Sequence, residues 1–302
     1  MKFWTNHFLS FFVITSTLTA DNYSLNFDGQ NDYVDLGQNL LSGTSDFSIS
    51  LWANSTSSSS DQILIQKRDA NGFNGEYLLL FKSNGKIKIW TYRNGYQWTV
   101  VSPESYNDGE WHHIVAVQDN TINGGRLYVD GVEVGSSSNG VVNLMGPLRT
   151  YLGADMRDFG AYLNGYLDNI MIYSDVLTTD EIELLYNNDN SLNDNIVGYW
   201  NCNTGSGNIL YDQSGNANNG IIGGALWSTN TTTKSIYVST LGSDEIGDGS
   251  EGNPYSTIQK GIDNANDGDS VFVAAGEYVE NINLTGKNIA LIGENKSITI
   301  IN

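Results

Sequence analysis

The sequence has little that would crosslink or kink it, and few positive charges to attract nucleic acid. It contains one cysteine, Cys202, and three prolines among 302 residues. A single cysteine excludes any intramolecular disulfide, so stability must come from burial and hydrogen bonding. Lys and Arg number 14 against 34 Asp and Glu, a net charge of −20. Nucleic acid is therefore not an expected partner, because phosphate binding needs clustered cations. Charged residues make up only 16%, and after residue 20 no apolar run is long enough to span a membrane. Most of the carboxylates are read as a solvated, self-repelling surface.

What is present is glycine, asparagine, serine and an aromatic fraction of 11%. That mixture suits an extracellular β protein better than a disordered chain. Residues 1–20 carry Lys2, an apolar stretch opening at Phe8–Val13, and Leu18-Thr19-Ala20 before a small-residue cleavage point. They read as a secretory signal, with a mature chain beginning near Asp21. The expected product is exported, either secreted or at the cell surface, and monomeric. Cys202, within GYWNCN, is expected to be a buried thiol that packs as a small hydrophobe.

From Ser24 to Tyr173 the pattern is short β-runs punctuated by turn dipeptides. FSISLW (Phe47–Trp52) alternates apolar and polar residues as a half-buried strand does. Tyr77–Phe81, Lys86–Tyr92 and Trp98–Val101 follow, separated by Asn84-Gly85 and Asn94-Gly95. Asn-Gly accepts positive φ at both central turn positions, which predicts an antiparallel meander of tight hairpins; Asp130-Gly131 repeats the signal. The fold class expected is all-β, an antiparallel β-sandwich. One helix is predicted, opened by a capping box at Thr178 and Glu181 with Ile182, Leu185 and Tyr186 as its apolar stripe.

Four landmarks stand in fixed order: FDGQNDYV from Phe27, GEWHHIVAVQD from Gly109, LYVDGVEV from Leu127, and GYLDNIMIYSDVLTTDEIELLY from Gly165 to Tyr186. Together they resemble the laminin G-like jelly roll of the concanavalin A-like superfamily, a scaffold shared by sugar-binding modules and glycan-cleaving enzymes. The stretch Ile196–Trp227 resembles strands that in that family precede the FDG motif. Two readings stand: it completes the sandwich by permutation, which is preferred, or it begins a second copy. The domain boundaries expected are a sandwich over 21–228, a polar linker over 229–235, and a second domain over 236–302. That last segment resembles the opening of a right-handed parallel β-helix of the pectin lyase-like kind, with a short helix within Pro254–Ala265. Its triplets 271–273, 282–284, 289–291 and 298–300 read as rung strands, and the sequence is expected to stop within that solenoid.

The resemblance to glycan-cleaving jelly rolls implies an E-x-D-x-x-E strand, which this sequence lacks. Asp180-Glu181-Ile182-Glu183 falls in the predicted helix, so no catalytic residues are assigned. His112 and His113 point to opposite faces of a strand and cannot share an ion; His113 is expected to be structural. For calcium, the resemblance and the oxygen chemistry together single out Asp28, Asp168, Asp212 and Asn216; the competing reading is that Asp28 and Asp168 cap turns. For carbohydrate, alternation puts Trp90 and Tyr92 on one face. Tyr96 and Trp98 are expected to extend that patch across the turn, with Arg93 at its flank. The function expected is binding of a polysaccharide or cell-surface glycan, with two alternatives kept open. One is a polysaccharide lyase or hydrolase whose active site lies on later β-helix rungs; the other is a surface adhesin.

Overall fold

In the first compact unit residues 86–92 alternate between half-buried and buried, whereas 47–54 and 62–67 are buried along their whole length. The computed structural model describes residues 23–301 other than 39, 69–73, 94–95, 145, 147, 156–160, 188–191, 193, 233–234, 266–267, 285–286, 288 and 296–297, with the backbone alone for Asn74, Tyr96 and Gln97. The signal-like segment 1–20 and the Asn94-Gly95 turn therefore lie outside the described residues. Two compact units divide the chain, Asp21–Thr232 and Thr233–Asn302.

The first unit runs through β1 (Ser24–Asp28), β2 (Tyr33–Gln38), β3 (Phe47–Asn54), β4 (Gln62–Lys67), β5 (Asn74–Phe81), β6 (Lys86–Arg93), β7 (Tyr96–Ser105) and β8 (His112–Asp119). It continues with β9 (Gly124–Val129), β10 (Val132–Ser137), β11 (Arg149–Leu152), β12 (Asn164–Tyr173), α1 (Thr179–Tyr186), β13 (Ile196–Trp200), β14 (Ile209–Leu210), β15 (Gly220–Gly223) and β16 (Leu226–Ser228). These strands form two antiparallel sheets. The first has the order β10-β9-β8-β3-β12-β1-β16, with β13 also on β12; the second has the order β14-β15-β2-β11-β4-β5-β6-β7. Inward residues of both sheets, among them Phe27, Ile49, Leu51, Leu79, Ile89, Ile114, Leu167 and Trp200, make one continuous core. This is a jelly-roll-like sandwich, as the alternation requires.

The stretch after α1 joins these same sheets. β13 pairs with β12, β15 with β2, and β16 with β1. Asp130 and Gly131 take φ of 51° and 77° and link β9 to β10. The Thr178 side chain accepts from the Glu181 N–H, and the Glu181 carboxylate takes the Thr178 N–H, closing the capping box. α1 lays Ile182 and Leu185 on Val115, Val117, Met171 and Tyr173, so it covers the outer face of the first sheet.

The second unit contains β17 (Ser235–Val238), α2 (Ile258–Asp263), β18 (Ser270–Val273), β19 (Gly276–Tyr278), β20 (Ala290–Gly293) and β21 (Thr299–Ile301). β17, β18 and β20 pair in parallel without register shifts, and β19 pairs in parallel with β21. α2 contributes Ile258 and Ile262 to a core with Ile236, Val238, Val271 and Val273. The triplet 282–284 is not a strand; the chain forms β19 at Gly276–Tyr278 instead. Gly276 and Tyr278 find a parallel partner in β21, whereas 282–284 has none.

Candidate functional site

The two outer faces of the sandwich are unlike. One is covered by α1. The other, on the second sheet, carries a small buried apolar patch of Ile63, Leu78 and Leu80, on which Trp90 and Ala161 pack. Strand register sets a transverse row on this face: Ile221, Asp35, Tyr151, Gln66, Leu78, Trp90 and Thr99, one residue from each neighbouring strand. Each has an inward neighbour in the core, such as Val34, Leu152, Ile65, Leu79 and Ile89, so period-2 alternation turns the row outward.

Trp90 and Tyr92 stand side by side on β6, half-buried, with ring centroids 5.6 Å apart and planes within 5°. The Arg68 guanidinium lies over the Trp90 ring at 5.9 Å, which is cation–π geometry. Arg68 is held there by two buried carboxylates. It bonds Asp155 directly and lies 3.5 Å from Glu76, which is fully buried. Further along the row, Tyr151 meets Tyr33 edge-on at 6.1 Å. Arg149 pairs with Asp35 at 2.6 Å on the same face. Burial raises the Tyr151 phenol, and Asp35 adds to the shift while Arg149 opposes it, so Tyr151 stays a neutral hydrogen-bonding ring. The face therefore offers a stacked aromatic pair beside fixed polar groups. Sugar rings, with apolar C–H faces and hydroxyl edges, bind such surfaces.

Of the five residues expected from sequence to bind carbohydrate, the structure brings Trp90 and Tyr92 together and separates two others. Trp98 is not on this face. β7 pairs with β6 so that Arg93 opposes Tyr96, Tyr92 opposes Gln97, and Thr91 opposes Trp98. Trp98 thus shares the inward side of Thr91 and is fully buried. Its indole N–H donates to Gln118 Oε1 at 2.9 Å, and Gly125 of β9 lies directly beneath the ring. Arg93 is corrected likewise: it alternates with Tyr92, and its guanidinium donates to the Asn143 carbonyl at 3.0 Å. The side chain of Tyr96 lies outside the described residues. Sequence reasoning missed Tyr33, Arg68, Glu76, Tyr151 and Asp155, because no local pattern connects residues so far apart.

The four residues expected to hold calcium do not converge. Among the described residues no group of three or more His, Cys, Asp or Glu could hold a metal ion. Asp28 is exposed and accepts from the Gln30 N–H and side-chain amide. Burial pushes the Asp212 carboxyl up, but the Ser214 side chain and the backbone N–H groups of Tyr199, Ser214 and Asn218 outweigh it and hold it below the usual carboxylate range. Asn216 donates its amide to the Ile196 and Val197 carbonyls. Asp168 is fully buried, and burial pushes its carboxyl well above the usual range, opposed by the Asn169 N–H. This donor set does not fit a hard cation, which wants several converging charged oxygens.

The histidines separate as their alternation requires. His113 is buried, bonds Ser50 Oγ at 2.8 Å, and is pushed down to about 3 by burial; it is neutral and structural. His112 bridges Asp130 at 2.8 Å and Asp108 at 3.1 Å. Cys202 is buried.

The two packed antiparallel sheets, the first covered on its outer face by α1, form a β-sandwich. The chain belongs to the concanavalin A-like lectin/glucanases superfamily, whose family model matches residues 28–183. No curated protein sequence matches it. Among solved structures, a candidate carbohydrate binding protein from Bacteroides ovatus superposes with a TM-score of 0.51 at 16% identity, over 68% of this chain and 59% of that one. Domain 4 of an extracellular arabinanase from Geobacillus stearothermophilus, solved with arabinotriose, gives 0.47 at 21% identity, over 54% and 76%. Domains LG4-5 of the mouse laminin α1 chain give 0.42 at 16% identity, over 53% and 44%.

Proposed function

We propose that the first unit is a carbohydrate-binding module of an exported protein, and that it grips a saccharide on the outer face of its second sheet. The observation that carries this reading is the stacked, half-buried Trp90–Tyr92 pair, with the Arg68 guanidinium over Trp90, on the outer face of the second sheet. Arg68 is already matched by Glu76 and Asp155, and Arg149 by Asp35. Neither guanidinium is left for a sugar carboxylate, so the surface suits the hydroxyls and C–H faces of a neutral saccharide. The same ion pairs argue against cleavage here, because Glu76 and Asp155 are committed to Arg68 and no second pair of carboxylates flanks Trp90 among the described residues. We further infer that the second unit opens a right-handed parallel β-helix; its in-register parallel strands support this.

The test is retention of the protein on a panel of immobilised neutral and acidic polysaccharides. Trp90→Ala and Tyr92→Ala should each weaken retention about tenfold, the equivalent of about 1.4 kcal/mol, while the melting temperature stays close to that of the wild type. Unchanged retention by both variants would remove the reading.

A further inference from the structure

The outer face of the first sheet extends past the part that α1 covers. α1 packs with Val115, Val117, Met171 and Tyr173, and Tyr186 at its end stacks on Trp52 and His113. Beyond Tyr186, at the other ends of β8 and β12, strand register lines up one further row. Leu226 opposes Asn26, Asn26 opposes Tyr166, and Tyr166 opposes Asn54. Leu25, Phe27, Ala53 and Leu167 alternate with these residues and lie in the core, so the row faces outward. The Trp111 ring completes it, its centroid 6.2 Å from that of Tyr166. Asn54 is buried, Asn26, Tyr166 and Trp111 are half-buried, and Leu226 is 66% exposed.

Charge, hydrogen bonding and size together define what this row can hold. It carries no charged side chain, although the chain has 34 acidic residues. The Asn26 carboxamide, between Tyr166 and Leu226, makes no hydrogen bond among the described residues, so its donors and acceptor remain for a ligand. The Asn230 side-chain oxygen accepts the Trp111 indole N–H at 3.2 Å, which fixes the indole and leaves its ring as the contact surface. The next row holds Asp28 opposite Asn164, both exposed and polar, and limits the strip to one row. Five strands at about 4.8 Å per gap span about 19 Å, and one row is about 7 Å wide. That is on the order of 130 Å², far below the roughly 800 Å² that each partner of a stable protein interface buries. The strip is therefore too small for a protein partner and suits a narrow, neutral ligand with apolar faces and hydroxyl edges.

We propose that this strip is a second saccharide site, taking a neutral glycan chain across β16, β1, β12, β3 and the start of β8. Tyr166 and Trp111 stack on sugar rings, Asn26 and Asn230 bond hydroxyls, and Leu226 ends the strip. The site belongs to the other sheet from Trp90 and Tyr92, shares no residue with them, and stands or falls separately. A module with two such faces joins two glycan chains.

The test is affinity electrophoresis of the whole chain in native gels containing mixed-linkage β-glucan, arabinoxylan or galactomannan. A Trp90→Ala/Tyr92→Ala double variant should keep part of the wild-type retardation. Adding Tyr166→Ala should weaken what remains about tenfold, the loss of one stacking ring. Adding Asn26→Ala instead should weaken it about fivefold. Because the Asn26 side chain makes no hydrogen bond in the protein, Asn26→Ala should melt as its parent does and carries the test if Tyr166→Ala does not fold. The wild type should also cloud a solution of the polysaccharide that retards it, by joining chains; a clear solution overturns the joining. No retardation of the wild type, none of the double variant, or retardation of the double variant that Tyr166→Ala and Asn26→Ala leave unchanged overturns the second site. Retardation lost in Tyr166→Ala yet untouched in the double variant would overturn the Trp90–Tyr92 site alone.

Discussion

Trp90 and Trp98 lie on adjacent strands of one hairpin and would be exchangeable as sugar contacts if only composition mattered. Their surroundings predict opposite phenotypes. Trp98→Ala removes a fully buried indole, and core Trp→Ala changes cost about 3–5 kcal/mol. The upper part of that range is expected here. The ring rests on Gly125, where an added Cβ would fall 2.3 Å from it, so there is no side chain beneath to relax into the cavity. Loss of the indole N–H adds little, because Gln118 Oε1 still accepts from the Val142 N–H at 3.0 Å. For a unit of this size each kcal/mol lowers melting by about 2–4 °C, so Trp98→Ala should melt about 6–20 °C lower. Trp90 is half-buried on an outer face, and Trp90→Ala should melt within about 4 °C of wild type while weakening glycan retention. Thermal melts and polysaccharide retention of both variants, measured side by side, check this. If Trp98→Ala kept its melting temperature and lost binding, the β6–β7 register and the site built on it would both be wrong.

Other outcomes follow from single residues. Burial alone would push the His112 imidazole down, but Asp130 and Asp108 outweigh it and hold its pKa above the usual histidine value. The stability this clamp contributes is therefore present below the ordinary histidine value and lost as pH rises through the higher folded one. Titration by NMR should show His112 above the ordinary value and falling towards it in Asp130→Asn; a wild-type value at or below it refutes the clamp. Gly153 takes φ of +78°, and an added Cβ would lie 2.4 Å from the Phe27 ring. Gly153→Ala should cost about 2–4 kcal/mol in urea unfolding, and a neutral effect would contradict that packing. Because Asp28, Asp168, Asp212 and Asn216 do not converge, melting in calcium and in EDTA should coincide; a calcium-dependent rise would show that they form a site after all.

Local signals were strong where the physics is local. Alternation gave the strand of Phe47, the Asp130-Gly131 turn follows from positive φ, and the Thr178–Glu181 capping box needs only residues three apart. The order of landmarks carried the superfamily, and the missing acidic strand motif was legible as text. Half of the saccharide platform was also local, since Trp90 and Tyr92 are two residues apart on one strand and must share a face. The other half was not. Trp98 went inward because hairpin register, set by which residue opposes which, moves a side chain to the opposite face with a single-residue change. Arg68 reaches Trp90, and Tyr33 meets Tyr151 on the same face, only because β2, β11, β4, β5 and β6 lie in sheet order rather than chain order. The strip from Leu226 to Trp111 has the same cause, since β16, β1, β12, β3 and β8 are neighbours only in the sheet. Composition and spacing determined that this chain is a β-sandwich with an aromatic pair on one strand face; the pairing of distant strands decided which aromatics face outward and which polar groups are sealed within.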